Sequence, residues 1–197
     1  MPVGDLQKIV TNVVSTVLGE TAETSKTFDW LINKHLPENF REHFPTIEDI
    51  FNLLNGDINA NQNKRIVRLP CDAYFDKHKF IFEFDEYQHF TAARLATFEL
   101  YPKNLRTNYP VAKWQELCEV NHFRGDAYRQ NKVTPDFNFE GGRTAQRAYF
   151  DCFRDLLPTQ NGLNPTLRIS SFDIEKVLIK GADICKEIEK ILDTRLQ

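Results

Sequence analysis

Asp72, Glu83, Asp85, Glu86 and His89 crowd acid–base and metal-binding chemistry into residues 71–90, a stretch otherwise rich in aromatic side chains. Phe80, Phe82 and Phe84 alternate with Ile81, Glu83 and Asp85 at the period of a strand, and residues 73–75 read as the other arm of a hairpin. With Lys77-His78 as the turn, paired residue numbers sum to 155, which sets Asp72 opposite Glu83 with Cβ atoms roughly 4.5–5.5 Å apart. Alternation then puts Asp85 on the face of Glu83 and the three phenylalanines on the other. Like charges facing each other destabilise a sheet unless a cation compensates them. Mg²⁺ suits the arrangement, because it is held by one or two carboxylates, keeps several waters and commonly meets a phosphate oxygen. Asp72, Glu83 and Asp85 are therefore the candidate ligands of Mg²⁺, with Mn²⁺ able to replace it, and His89 is a candidate general acid or base, or a phosphate contact. A plain acidic strand end neutralised by Lys79, Lys64 or Arg65 is the competing reading. Zinc is disfavoured, since His78 and His89 lack helical spacing and the site is rich in oxygen.

The flanking sequence supplies elements to hold such a hairpin. Apolar residues from Leu6 to Leu18 recur at spacings of three and four, which predicts a helix over 5–18. Further helices are predicted over 24–36, stopping before Pro37, and after Thr46 as far as Asn55-Gly56. Residues 57–64 read as a loop, and residues 66–69, 73–75 and 80–84 as strands. Helices are expected near 91–100, 110–121 and 144–157, then a strand over 166–170 and one long final helix carrying Ile174 to Ile191. The pattern is α/β, a layer of sheet between helices.

The length of 197 residues excludes a second large domain, and 41% hydrophobic with 27% charged residues is the balance of a folded, water-soluble chain. No run approaches the roughly 18 apolar residues of a membrane span, and Asp5 and Lys8 break the N-terminal stretch where a signal peptide would be apolar. The expected location is the cytoplasm, without membrane contact, and the scattered cysteines suggest reduced, mostly buried thiols rather than disulfides or zinc. The net charge of −3 argues mildly against a polyanion partner, but residues 94–147 hold 9 basic and 6 acidic residues and are the one net-basic segment.

Asp72 followed by Glu83-Phe84-Asp85-Glu86-Tyr87-Gln88-His89 resembles the restriction-endonuclease-like PD-(D/E)XK nuclease superfamily, in the branch of the very-short-patch-repair mismatch endonuclease and its small relatives. Asp151, Arg154-Asp155, Gly162 and Leu167-Arg168-Ile169 match a second stretch of that branch. Glu86 departs from the pattern, standing where the branch has glycine, and Asp85 stands where the wider superfamily has lysine. The family's helix-one glutamate has no clean counterpart; Glu23 is the nearest candidate. The resemblance implies a restriction-endonuclease-like core, a central mixed β-sheet flanked by helices, in a single nuclease-like unit spanning residues 1–197. Residues 91–143 form a helical insertion, a candidate recognition lobe. It implies catalytic Asp72, Glu83, Asp85 and His89, with Gln88, Asp151, Arg154 and Glu23 as supporting or phosphate-contacting residues.

The function this implies is Mg²⁺-dependent endonucleolytic hydrolysis of DNA, with homodimerisation left open. Arg94, Arg106, Arg124 and Arg129 of the insertion are candidate nucleic-acid contacts, and Trp114, Tyr101 and Tyr109 offer stacking surfaces. The rival is a catalytically inactive binding module of the same fold, for which Glu86 and the acidic net charge speak. A nucleotide-processing hydrolase is a third reading, weakened by the lack of a Gly-rich phosphate loop.

Overall fold

The computed structural model describes residues 4–181 and 183–196. Helix α1 (Asp5–Leu18) leads into a two-residue edge strand β1 (Glu23–Thr24), a non-helical segment, and the helices α2 (Pro37–Phe40), α3 (Phe44–Leu53) and α4 (Ile58–Asn63). The hairpin β2 (Ala73–Phe75) and β3 (Phe80–Asp85) follows, then α5 (Ala92–Glu99), α6 (Val111–Ala127), α7 (Gly142–Gln160), β4 (Leu167–Ser170), α8 (Ser171–Lys180) and α9 (Ile184–Arg195). The sheet has the order β1-β2-β3-β4, antiparallel except for β3 and β4, which run parallel across the α7 crossover. Among the described residues this is an α/β structure with a mixed sheet between helices.

Strand alternation divides the core. Phe80, Phe82 and Phe84, with Ala73, Phe75, Leu167 and Ile169, pack against α1, α8 and α9. Tyr74 and Ile81 face the other way, toward α3, α7 and the segment carrying Leu31 and Phe40. Glu83, Asp85 and Arg168 share that second face by parity, so α7 is the element that must answer their charges.

Four sequence expectations are corrected. Residues 24–36 form no helix: Ser25 takes a left-handed φ of 54°, and Asn33 bonds Arg65 and Val67 through its side chain. Thr, Ser, Asp and Asn in this stretch compete with the helix for backbone hydrogen bonds, and its apolar residues are buried by wrapping instead. Residues 66–69 contribute a single bridge, Ile32 with Arg68, rather than a strand. Residues 57–64 contain α4, started by the Asp57 side chain accepting from Ala60 N at 3.0 Å. The final helix is two helices, broken at Gly181, whose φ is 62°.

The non-helical segment buries His35 against the aromatic core, with Nδ1 2.7 Å from the Tyr149 hydroxyl. Burial lowers its pKa to about 4, so the fold favours the uncharged ring. That stabilisation is complete above the ordinary histidine pKa of about 6.5 and is lost as pH falls toward 4. Denaturant midpoints are expected to drop over this interval, and His35→Gln to flatten the drop; an unchanged pH dependence in the variant would contradict the assignment.

Candidate active site

The hairpin register is the one expected, with Ala73 opposite Phe82, Tyr74 opposite Ile81 and Phe75 opposite Phe80. Asp72, one residue before β2, continues it. Its backbone N–H donates to Glu83 Oε1 at 3.3 Å, and its Oδ2 accepts from Phe84 N at 2.8 Å. The Glu83 carboxylate is thus held by the backbone of Asp72, and the Asp72 carboxylate by the backbone of Phe84, the residue after Glu83.

Their electrostatics are unbalanced. Burial pushes the Glu83 carboxyl well above the usual range; Arg154, whose Nε is 3.0 Å from Oε1, opposes the rise and Asp72 adds to it. Asp72 is also raised, by burial against the lowering effects of the Phe84 N–H, His89 and Arg154. Among the described residues, neither Asp72 Oδ1 nor Glu83 Oε2 accepts a hydrogen bond, and Asp72 has no cation within ion-pair distance.

Asp85 is in a different situation. It is 1% exposed, and Arg168 NH1 donates to both its oxygens at 2.8 and 3.1 Å while Trp114 Nε1 donates to Oδ2 at 2.6 Å. Arg168 Nε donates to Asp155 Oδ1 at 2.7 Å, and Asp155 Oδ2 accepts from Arg94 and from the hydroxyls of Tyr101 and Tyr109. Asp155 lies below its ordinary pKa, because Arg168 and then Arg94 outweigh the upward push of burial. These residues form one buried, fully bonded network joining β3, β4, α5, α6 and α7.

His89 lies in a short 3-10 turn, Tyr87–His89, just beyond β3. Its Nδ1 is 3.0 Å from Asp151 Oδ2 and 3.6 Å from Asp85 Oδ1. Burial alone would raise Asp151, but His89 and then Arg168 overcome it and hold the group well below the carboxylate range. The ionised carboxylate can only accept, so Nδ1 carries the hydrogen and Nε2 is left to exchange a proton.

Helix α7 organises this side of the site. Arg143, Arg147, Asp151 and Asp155 are spaced by four and lie along one face, basic at the open end and acidic where the helix crosses the sheet. Arg147 NH1 donates to Gln88 O at 2.9 Å, and Arg143 NH1 to Gln146 Oε1 at 2.7 Å.

The structure thus brings Asp72, Glu83, Asp85, His89, Gln88, Asp151 and Arg154 into one neighbourhood, but sorts them differently from the sequence. Arg154 faces Glu83 more closely than Asp151, whose Oδ1 is 3.9 Å from NH1. Gln88 is buried and its Nε2 donates to Glu86 at 2.9 Å. Glu23 is exposed on the edge strand, paired with Lys26 at 2.6 Å, while Glu20 at the end of α1 binds Lys77 N and His78 at the far end of the hairpin. No helix-one glutamate therefore reaches Asp72. Arg94 is 1% exposed and bonded to Asp155, so it has no surface to offer a nucleic acid. Arg106 lines clefts with Thr194 and His78, away from His89. Arg124 and Arg129 are exposed beside the site, over the rings of Tyr87 and Tyr128. Trp114 and Tyr109 are core residues, and Tyr101 spends its hydroxyl on Asp155. Sequence reasoning missed Arg143, Arg147, Tyr87 and Tyr128 and the part of Arg168; the four-residue spacing on α7 was the available signal.

A divalent cation fits part of the expected ligand set. Among the described residues no group of three His, Cys, Asp or Glu side chains is arranged to hold a metal ion. Asp85 is saturated by Arg168 and Trp114, so it is not a free ligand. Asp72 and Glu83 are adjacent, insufficiently compensated and each retain an oxygen without a partner, which is the two-carboxylate set a water-rich Mg²⁺ takes.

No family model matches the chain, and no curated protein or solved structure matches it either. Among the described residues no helix is long and apolar enough to cross a membrane.

Proposed function

We propose that the chain is a cation-dependent phosphodiester hydrolase acting on nucleic acid, built on a restriction-endonuclease-like core. The observation that carries this reading is the Asp72–Glu83 pair, a half-buried and a buried carboxylate drawn together without adequate positive charge and flanked by a His89–Asp151 pair and unpaired arginines. Asp72 and Glu83 would hold Mg²⁺ or Mn²⁺, which when bound supplies positive charge to the scissile phosphate. Asp151 orients His89, whose Nε2 exchanges a proton with water or the leaving oxygen. Arg154 keeps Glu83 in place through contacts with Pro70 O at 2.7 Å and Phe150 O at 3.1 Å. Asp85 acts at one remove: it fixes Arg168, and through it the position of α7.

A non-cleaving binding module is the second reading, favoured specifically by the engagement of Asp85 with Arg168 and Trp114. Incubating the chain with plasmid, linear duplex and single-stranded DNA, with Mg²⁺ or with chelator, separates the two. Cleavage confined to the Mg²⁺ samples is expected, and binding without cleavage in all of them would leave the module reading. His89→Gln is expected to slow cleavage by roughly 10²–10⁴-fold with little change in substrate affinity. Unchanged cleavage would remove His89 from the chemistry.

A further inference from the structure

The α6 C-terminus, the 3-10 turn and the open end of α7 form a rim in which cations and aromatic rings alternate. Tyr87 and Tyr128 meet edge to face with centroids 5.8 Å apart. Arg124 lies 4.2 Å from the centroid of the Tyr87 ring, and Arg129 and Arg147 lie 5.2 and 5.4 Å from that of Tyr128. Arg143 stands one turn before Arg147 on α7.

Among the described residues none of these four guanidiniums has a carboxylate within ion-pair distance, whereas Arg68, Arg94, Arg154, Arg168 and Arg195 all do. Burial lowers the pKa of Arg143 and Arg147, and neighbouring arginines lower each further against the upward pull of Asp151, so positive charge has been gathered here against its own repulsion. In the same rim Gln88 Oε1 is buried without a donor. Uncompensated guanidiniums want phosphate, and an unused acceptor suits the N–H of a base. Tyrosine rings and guanidinium planes are the surfaces on which exposed bases stack, and a paired duplex keeps its base faces inside.

We propose that Tyr87 and Tyr128, with Arg124, Arg129, Arg143 and Arg147, bind an unpaired stretch of nucleic acid beside His89. Single-stranded rather than fully paired nucleic acid is then the substrate class of the site. The assignment rests on the hydrolase reading for its meaning but not for its test.

Fluorescence anisotropy of the whole chain in chelator, where no cleavage enters, decides it with labelled 12-nucleotide single-stranded DNA, single-stranded RNA and duplex DNA. Tighter binding of either single strand than of the duplex is expected, and the tighter of the two strands identifies the source. Tyr87→Leu and Tyr128→Leu should each weaken single-strand binding by about 5- to 150-fold. Arg143→Gln, half-buried in the rim, should reduce the slope of log affinity against log salt by about 0.7. Melting curves confirm that each variant is folded, and Tyr87→Phe, which keeps the ring, should bind like the parent.

Duplex binding as tight as single-strand binding would overturn the assignment. So would leucine variants that bind unchanged, or a polyglutamate competitor that displaces the strands as well as unlabelled DNA does. Selective single-strand binding without cleavage would defeat the hydrolase reading alone, and cleavage of duplex with no single-strand preference would defeat this one alone.

Discussion

Asp72→Asn and Glu83→Gln are expected to cut Mg²⁺-dependent cleavage by two orders of magnitude or more, while the Asp72 variant melts no lower than the parent. The two outcomes share one cause. Burial raises both carboxyls because their ionised forms are poorly compensated, so each charge works against the fold unless a cation answers it. An amide at position 72 keeps an oxygen to accept from Phe84 N and removes the charge. Cleavage rate and melting temperature measured together check this. A variant that melts far lower would mean that Asp72 is a structural acceptor, and one that cuts at the parental rate would exclude it from the chemistry.

Arg168→Ala is expected to be the most damaging single substitution to the fold, costing about 3–5 kcal/mol. Arg168 is fully buried and is the shared partner of Asp85 and Asp155, with Asp151 Oδ1 3.7 Å from its NH2. Its removal leaves Asp85 with the Trp114 N–H and the more distant His89 Nδ1, 3.6 Å away, and strips the strongest positive neighbour from Asp155. Asp85→Asn belongs to the same class for the same reason: it is expected to destabilise, not to relieve a repulsive cluster as the sequence suggests. Urea unfolding with linear extrapolation measures both. A loss under about 1 kcal/mol for Arg168→Ala would mean that the network contributes little.

The hairpin was legible because its information is local. A two-residue turn and strict alternation determine which residues face each other, so the Asp72–Glu83 pairing and the separation of the phenylalanines both follow from numbering. The fate of Asp85 was not legible, because its partners come from β4 and α6, 83 and 29 residues away, and nothing in a strand's own pattern tells which charge the crossing element will bring. The same holds for Arg94, which in sequence looks like any basic residue of a net-basic segment and in the fold is the buried answer to Asp155. The segment 24–36 misled for the opposite reason: its apolar spacing suits a helix, yet its small polar residues spend their hydrogen bonds on neighbouring backbone.

Cation binding at Asp72 and Glu83 is the central claim, and Mn²⁺ titration followed by the electron paramagnetic resonance of the free ion tests it most directly. The parent chain should take up Mn²⁺ at one site that Mg²⁺ competes for, and Asp72→Asn, folded by its melting curve, should lose that site. No uptake by the parent, or the same uptake by the variant, would contradict the account.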